Sequence, residues 1–136
     1  MKLRVLICML IYFTLTSCSK SEGGKESVTI TTAVKTGDWM LLYFENGNSI
    51  DIGNATFLKF NSSGSLIATM DGTPYNGTWI EGNTGGNTTL TLNISTNDTK
   101  LVKANKIWQM TSITEGYITF KEASTTGNST LHLMKH

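Results

Sequence analysis

From Trp39 onward the chain is a succession of short apolar runs separated by turn residues. Alternation with a period of two places successive side chains on opposite faces of a strand. Leu58 and Phe60 alternate in this way with Phe57, Lys59 and Asn61, and Leu90, Leu92 and Ile94 with Thr89, Thr91 and Asn93. The pattern predicts eight strands, at Trp39–Glu45, Thr56–Asn61, Ser65–Met70, Tyr75–Glu81, Thr88–Ser95, Lys106–Thr114, Tyr117–Glu122 and Ser129–Lys135. Turns fall at Ser62-Ser63-Gly64, Asp71-Gly72-Thr73-Pro74 and the Gly82 to Asn87 loop. No long window carries apolar residues at helical spacing.

Short strands joined by hairpin-length turns form a meander. An open meander leaves two bare edges and one bare apolar face, and closure into a barrel removes both. The expected fold is therefore all-β, an eight-stranded antiparallel up-and-down barrel. Eight strands enclose an interior that side chains can fill or that can hold one small ligand. The first strand departs from simple alternation: Trp39 to Phe44 is apolar on both faces and needs a cover outside as well. The Val28–Thr32 segment, a membrane or a partner could supply it. Val28 to Thr32 has strand composition, and reads either as a strand on the barrel rim or as part of a flexible tether.

Ahead of the strands lies a different kind of sequence. Met1-Lys2-Leu3-Arg4 is cationic, Val5 to Leu15 is almost unbroken apolar, and Thr16-Ser17 are small residues before Cys18. This is the layout of a secretory signal, and it is too short for a spanning helix, which needs about 20 apolar residues. An ordinary secretory signal followed by a stray cysteine, or an uncleaved anchor helix, are the other readings of these residues. Leu15-Thr16-Ser17-Cys18 resembles the lipobox of bacterial lipoproteins. The resemblance implies cleavage after Ser17, a thioether lipid on Cys18 and acylation of the new amine. Several acyl chains anchor firmly where one is marginal. It also implies, with Ser19 after the cysteine, transport to the outer membrane. The domain plan that follows is a signal peptide over 1–17, lipidated Cys18 and a flexible tether over 18–35, and a barrel over 36–136.

Removing the leader takes away Lys2 and Arg4, leaving nine lysines, no arginine and ten acidic residues. That balance offers no basic patch for nucleic acid. Cys8 leaves with the leader and Cys18 carries the lipid, so no disulfide is expected despite the oxidising destination. Asn-x-Ser/Thr sequons at Asn54, Asn61, Asn76, Asn87, Asn93, Asn97 and Asn128 would suggest glycans in a eukaryotic secreted protein; with the bacterial cell that the lipobox resemblance implies, they are read as an Asn- and Thr-rich composition.

Further motifs carry a second resemblance. Gly37-Asp38-Trp39 looks like the Gly-x-Trp start of lipocalins. A phenylalanine-rich strand before a Ser-Gly turn, Gly77-Thr78-Trp79 and Trp108-Gln109-Met110 look like the lipocalin-like domains of small outer-membrane lipoproteins. The likeness spans roughly residues 36–136. It implies Gly37 and Trp39 as structural residues at the closed barrel end. It assigns to Lys135 or Lys121 the place over Trp39 that a late arginine fills in lipocalins, through a cation–π contact. Phe60, Trp79 and Trp108 are the candidates to line a cavity for a small apolar or amphipathic ligand, although mid-strand aromatics also serve as core.

Catalytic chemistry finds no foothold in the pattern. His132 and His136 stand on one face of a strand about 13 Å apart, too far to share a metal ion. No nucleophile–base pair recommends itself, and Glu81, Glu115 and Glu122 at strand ends read as solvated carboxylates. The Gly82 to Asn87 loop lacks the lysine and following helix of a phosphate loop. No cofactor or metal is expected. The functional expectation is a non-enzymatic, membrane-anchored binding protein of the bacterial envelope, or a closed-core structural or protein-interaction module there.

Overall fold

The computed structural model describes residues 28–50, 52 and 55–136. Among the described residues nine strands form one antiparallel sheet: β1 (Trp39–Glu45), β2 (Asn48–Ile50), β3 (Thr56–Phe60), β4 (Ser65–Met70), β5 (Thr73–Thr84), β6 (Asn87–Ile94), β7 (Ile107–Ile113), β8 (Tyr117–Glu122) and β9 (Ser129–Lys135). From β3 to β9 each strand pairs with the next in sequence. β1 then pairs with β9 along its whole length, from Trp39↔Lys135 to Glu45↔Ser129, and the sheet closes. The remaining edge of β1 is shared. β2 takes its Tyr43 to Glu45 half, and β3 takes Trp39 and Met40. β2 and β3 thus occupy one strand position between them, and the wall is an eight-stranded antiparallel barrel with up-and-down connections.

β2 was not legible as a strand, but its turn is. Asn46 and Gly47 have φ of 52° and 78°, the pair of left-handed residues that a tight two-residue hairpin requires. The other expected strands stand within a few residues of their expected ends, β5 being the longest at twelve residues. Gly77 explains one motif glycine. A Cβ there would lie 2.6 Å from the Asn93 carbonyl oxygen of β6, so only glycine lets the two strands approach this closely.

The inward positions make one continuous core, running from Ile30 and Val34 through Trp39, Trp79 and Trp108 to Leu101 and Ala104. Burial of each large apolar side chain stabilises the fold by roughly 1.5–3 kcal/mol. Five of these residues come from outside the strands, one of them Ile52 between β2 and β3. Ile30 and Val34 belong to a five-residue helix α1 (Ile30–Val34), and Leu101 and Ala104 to a 3-10 turn (Leu101–Ala104). Val28 to Thr32 is therefore neither rim strand nor free tether. Ile30 and Val34, four apart, lie on one helical face that is wholly buried. The strand composition of Ile-Thr-Thr gives way to a Thr29 cap, whose side chain and that of Thr32 exchange hydrogen bonds with each other's backbone.

Candidate functional site

The two barrel ends hold the polar side chains that point inward. At the Trp39 end, α1 lies across the opening. Thr29 satisfies the Thr32 amide, at 3.1 Å, but the first amides of the helix still need an acceptor. Glu81 on β5 supplies it from the opposite wall. Its carboxylate accepts from the Ile30 amide at 3.1 Å, the Thr31 amide at 2.8 Å and the Thr31 hydroxyl at 2.5 Å. Glu81 is therefore a helix anchor and not the solvated carboxylate its strand-end position suggested. A cleft of about 490 Å³ runs beside α1, lined by Val28, Thr32, Thr36, Glu115 and Lys135 among others.

At the opposite end, hereafter the mouth, Lys106 is the hub. Its ammonium donates to Glu122 at 2.9 Å, Ser129 at 3.3 Å and Tyr43 at 3.4 Å. It also sits 5.8 Å from the Tyr43 ring centre and 5.7 Å from that of Trp108. The Tyr43 and Ser129 hydroxyls are 2.9 Å apart. A second pair, Lys103 with Glu45 at 3.0 Å, ties the 3-10 turn to β1. Asn105 fixes the same turn to β6, accepting from the Ile94 amide at 2.6 Å and donating to the Ile94 carbonyl at 2.8 Å. A polar cleft of about 300 Å³ opens above, lined by Glu45, Asn46, Lys106, Glu122, Asn128 and Ser129 among others.

Ser129 beside a lysine invites a nucleophile–base reading, and the electrostatics oppose it. Burial is the strongest single influence on Lys106 and pushes its pKa down. The hydrogen bonds and attraction of Glu122 and Tyr43 together outweigh it, and the pKa ends above the ordinary lysine value. The Lys106 hydrogen bond holds Glu122 below the ordinary glutamate range. A lysine that stays charged and spends its three protons on three acceptors has nothing with which to deprotonate a serine. The arrangement is a satisfied polar network that locks the mouth.

Of the candidate cavity residues, Phe60 and Trp79 meet edge-on, ring centres 5.4 Å apart at 89°. The Trp79 indole donates to the Asn61 carbonyl at 3.0 Å. Trp108 lies apart from them, edge-on to Tyr43 at 6.0 Å, its indole donating to Ala104 at 2.9 Å. All three are buried, and none lines the clefts described above. Trp39 is fully buried at the α1 end, and its indole N–H has no hydrogen-bond partner among the described residues. Gly37, at φ +85°, turns the chain from α1 into β1. Lys135 does not cover Trp39; its ammonium donates to Thr36 at 3.3 Å. Lys121 is an exposed residue of β8, and the lysine–tryptophan contact occurs instead between Lys106 and Trp108. Sequence reasoning missed Tyr43, Lys106 and Ser129 as a group, because they lie far apart in the chain, on β1, just before β7 and on β9.

His132 accepts or donates at 2.5 Å through Nδ1 with the Tyr117 hydroxyl and stacks on Phe44, and His136 packs on Phe57. Among the described residues no group of three His, Cys, Asp or Glu could hold a metal ion, and no helix is long and apolar enough to cross a membrane. Cys18 and the leader lie outside the described residues.

No family model matches the chain, and no curated protein matches it. One solved structure is similar, the crystal structure of a DUF4847 family protein from Bacteroides vulgatus ATCC 8482. The match has a TM-score of 0.56 at 11% identity and covers 79% of this chain and 98% of that one. At that identity the likeness is one of fold.

Proposed function

We propose that the protein is a non-enzymatic, lipid-anchored protein of the bacterial envelope, a lipocalin-like barrel that works as a filled scaffold and interacts through its surface. The observation that carries this reading is the core, which runs unbroken between two covered ends with Trp39 and Trp108 fully buried in it. The lipobox-like leader supports the anchor on Cys18 and an outer-membrane location. Crosslinking in intact cells tests the reading. A reproducible protein or membrane contact weakened by Met40→Ser or Phe44→Ser, with the fold intact, is the expected result; a surface free of contacts would count against it.

A second reading is favoured by a specific feature, the borrowing of Ile30 and Val34 to fill the barrel. Space that a detachable segment fills is space that a small apolar or amphipathic molecule can take when the segment moves. On this reading Phe60 and Trp79 line the vacated lumen at the α1 end, and Trp108 lies further in, toward the mouth. Native mass spectrometry of the membrane-extracted protein separates the two. A co-purifying small molecule, with Trp79 or Trp108 fluorescence quenched by added fatty acid, supports the ligand reading, and the bare protein supports the filled scaffold.

A further inference from the structure

One transverse row of the outer wall is apolar across four neighbouring strands. Phe57 on β3 stands opposite Met40 on β1, Met40 opposite Met134 on β9, and Met134 opposite Tyr117 on β8. Directly opposed residues share a face of the sheet. Their chain neighbours Leu58, Trp39, Leu133 and Ile118 are buried in the core, so the row faces out. Met134 is 38% exposed, and the other three are half-buried, with Phe57 packed on His136 and Tyr117 on His132. In the next row Leu42 stands opposite His132, which stacks on Phe44. The far wall is different. Its outward residues on β5 and β6 include Thr78, Thr91 and Asn93, and its exposed apolar residues, Ile80 and Ile107, flank Thr91 across three strands.

The apolar row lies at the end of the barrel from which the chain runs back to Cys18. Val28, 52% exposed, shares a cleft with Glu115 and Lys135, and Lys135 follows Met134. Nine residues separate Cys18 from Val28, a reach of at most about 35 Å. A seven-residue strand such as β1 spans about 23 Å. The whole row is therefore within reach of a bilayer that holds Cys18. Exposed Lys59, Lys135, Asp38 and Glu115 lie at the same end of the barrel as the row. A tyrosine and long lysines around an apolar strip suit the boundary between headgroups and acyl chains.

Resting on the reading that Cys18 is acylated, we propose that the row from Phe57 to Tyr117 seats against the membrane, so that the barrel lies with β1 and β9 toward the lipid. The occupant of the doubly apolar first strand is then the bilayer itself. The test uses the full-length protein, made with labelled palmitate in a bacterium that processes lipoproteins. Isolated membranes are loaded with a diazirine phospholipid, illuminated, and the labelled peptides mapped. The expected result is palmitate on the protein together with lipid label several-fold higher on the peptides holding Met40, Phe57 and Met134 than on those holding Ile80 and Ile107. Met40→Ser with Met134→Ser should cut that label and leave palmitate unchanged. Palmitate with equal label on both walls, or with none on the row, overturns the seating alone. Absence of palmitate removes the anchor, and the seating with it.

Discussion

The two ends of the barrel are closed by segments of nearly equal size that are tied in different ways. The 3-10 turn sits in a loop that leaves β6 and returns to β7, so both its ends are fixed to the wall. Asn105, the Lys103–Glu45 pair and the Trp108 indole add local ties. Among the described residues α1 is joined to a strand on one side only, through the Gly37 turn into β1. Its far end rests on a single carboxylate, Glu81. A helix this short has no stability of its own, so the difference is one of chain connection. A segment pinned at both ends gains little freedom on release, and one pinned at one end gains more. The helix end should open first.

The largest effect separating the ends should come from the core. Trp108→Ala removes a fully buried ring and the hydrogen bond its indole gives Ala104, and should cost about 3–5 kcal/mol. Ile30→Ala should cost about 2–4 kcal/mol and no more than release of α1 costs, because the rest of the barrel can stand without it. Denaturant midpoints measure both. Equal losses would erase the distinction between the ends.

Next come the carboxylates. Glu81→Gln keeps the shape and loses the charge, and should weaken α1 by about 1–3 kcal/mol, seen as faster exchange of its amides with little change in the global midpoint. Glu122→Gln at the mouth should cost less, about 1 kcal/mol or under, since the Lys106 pair is partly open to water.

Titration then sharpens the contrast. Glu122 is held below its ordinary range. Its folded form therefore binds protons less readily than its unfolded form, and its contribution is present above the ordinary glutamate value and lost as pH falls through the lowered one. Lys106 is raised, so its contribution is intact below the ordinary lysine value and lost as pH climbs through the raised one. Glu122→Gln should flatten the acid limb of a stability–pH curve.

The smallest effect belongs to the outer wall. Burial lowers the pKa of His132, so the folded state favours the neutral ring. Stability should slip as pH drops through the ordinary histidine range, from about 7.5 to about 5.5. His132→Asn should remove that slope.

Alternation and turn residues carried the barrel because each barrel strand buries one face against a common core. Leu58, Phe60, Leu131 and Leu133 can be read off as inward residues. Ile30 and Val34 could not, because five residues with β-branched composition and polar neighbours look like a tether until a carboxylate fifty residues away caps them. Asn46-Gly47 did hold the signal for β2, and went unread because the strand after it is only three residues long. The mouth network was invisible in one dimension for a simpler reason. Lys106, Glu122 and Ser129 stand at or beside strand ends, where polarity reads equally as solvation, and Tyr43 lies within an apolar run; the β7–β8 pairing and the closure of β1 onto β9 bring them together. The first strand, apolar on both faces, raised the question that the outer row answers.

Native-state amide hydrogen exchange on the full chain tests the central claim most directly. The amides of Ile30, Thr31 and Ala33 should exchange through an opening that costs less than global unfolding and leaves Leu92 and Ile94 protected. Exchange of the α1 amides only together with those of Leu92 and Ile94 would contradict it, and would mean that both ends are held alike.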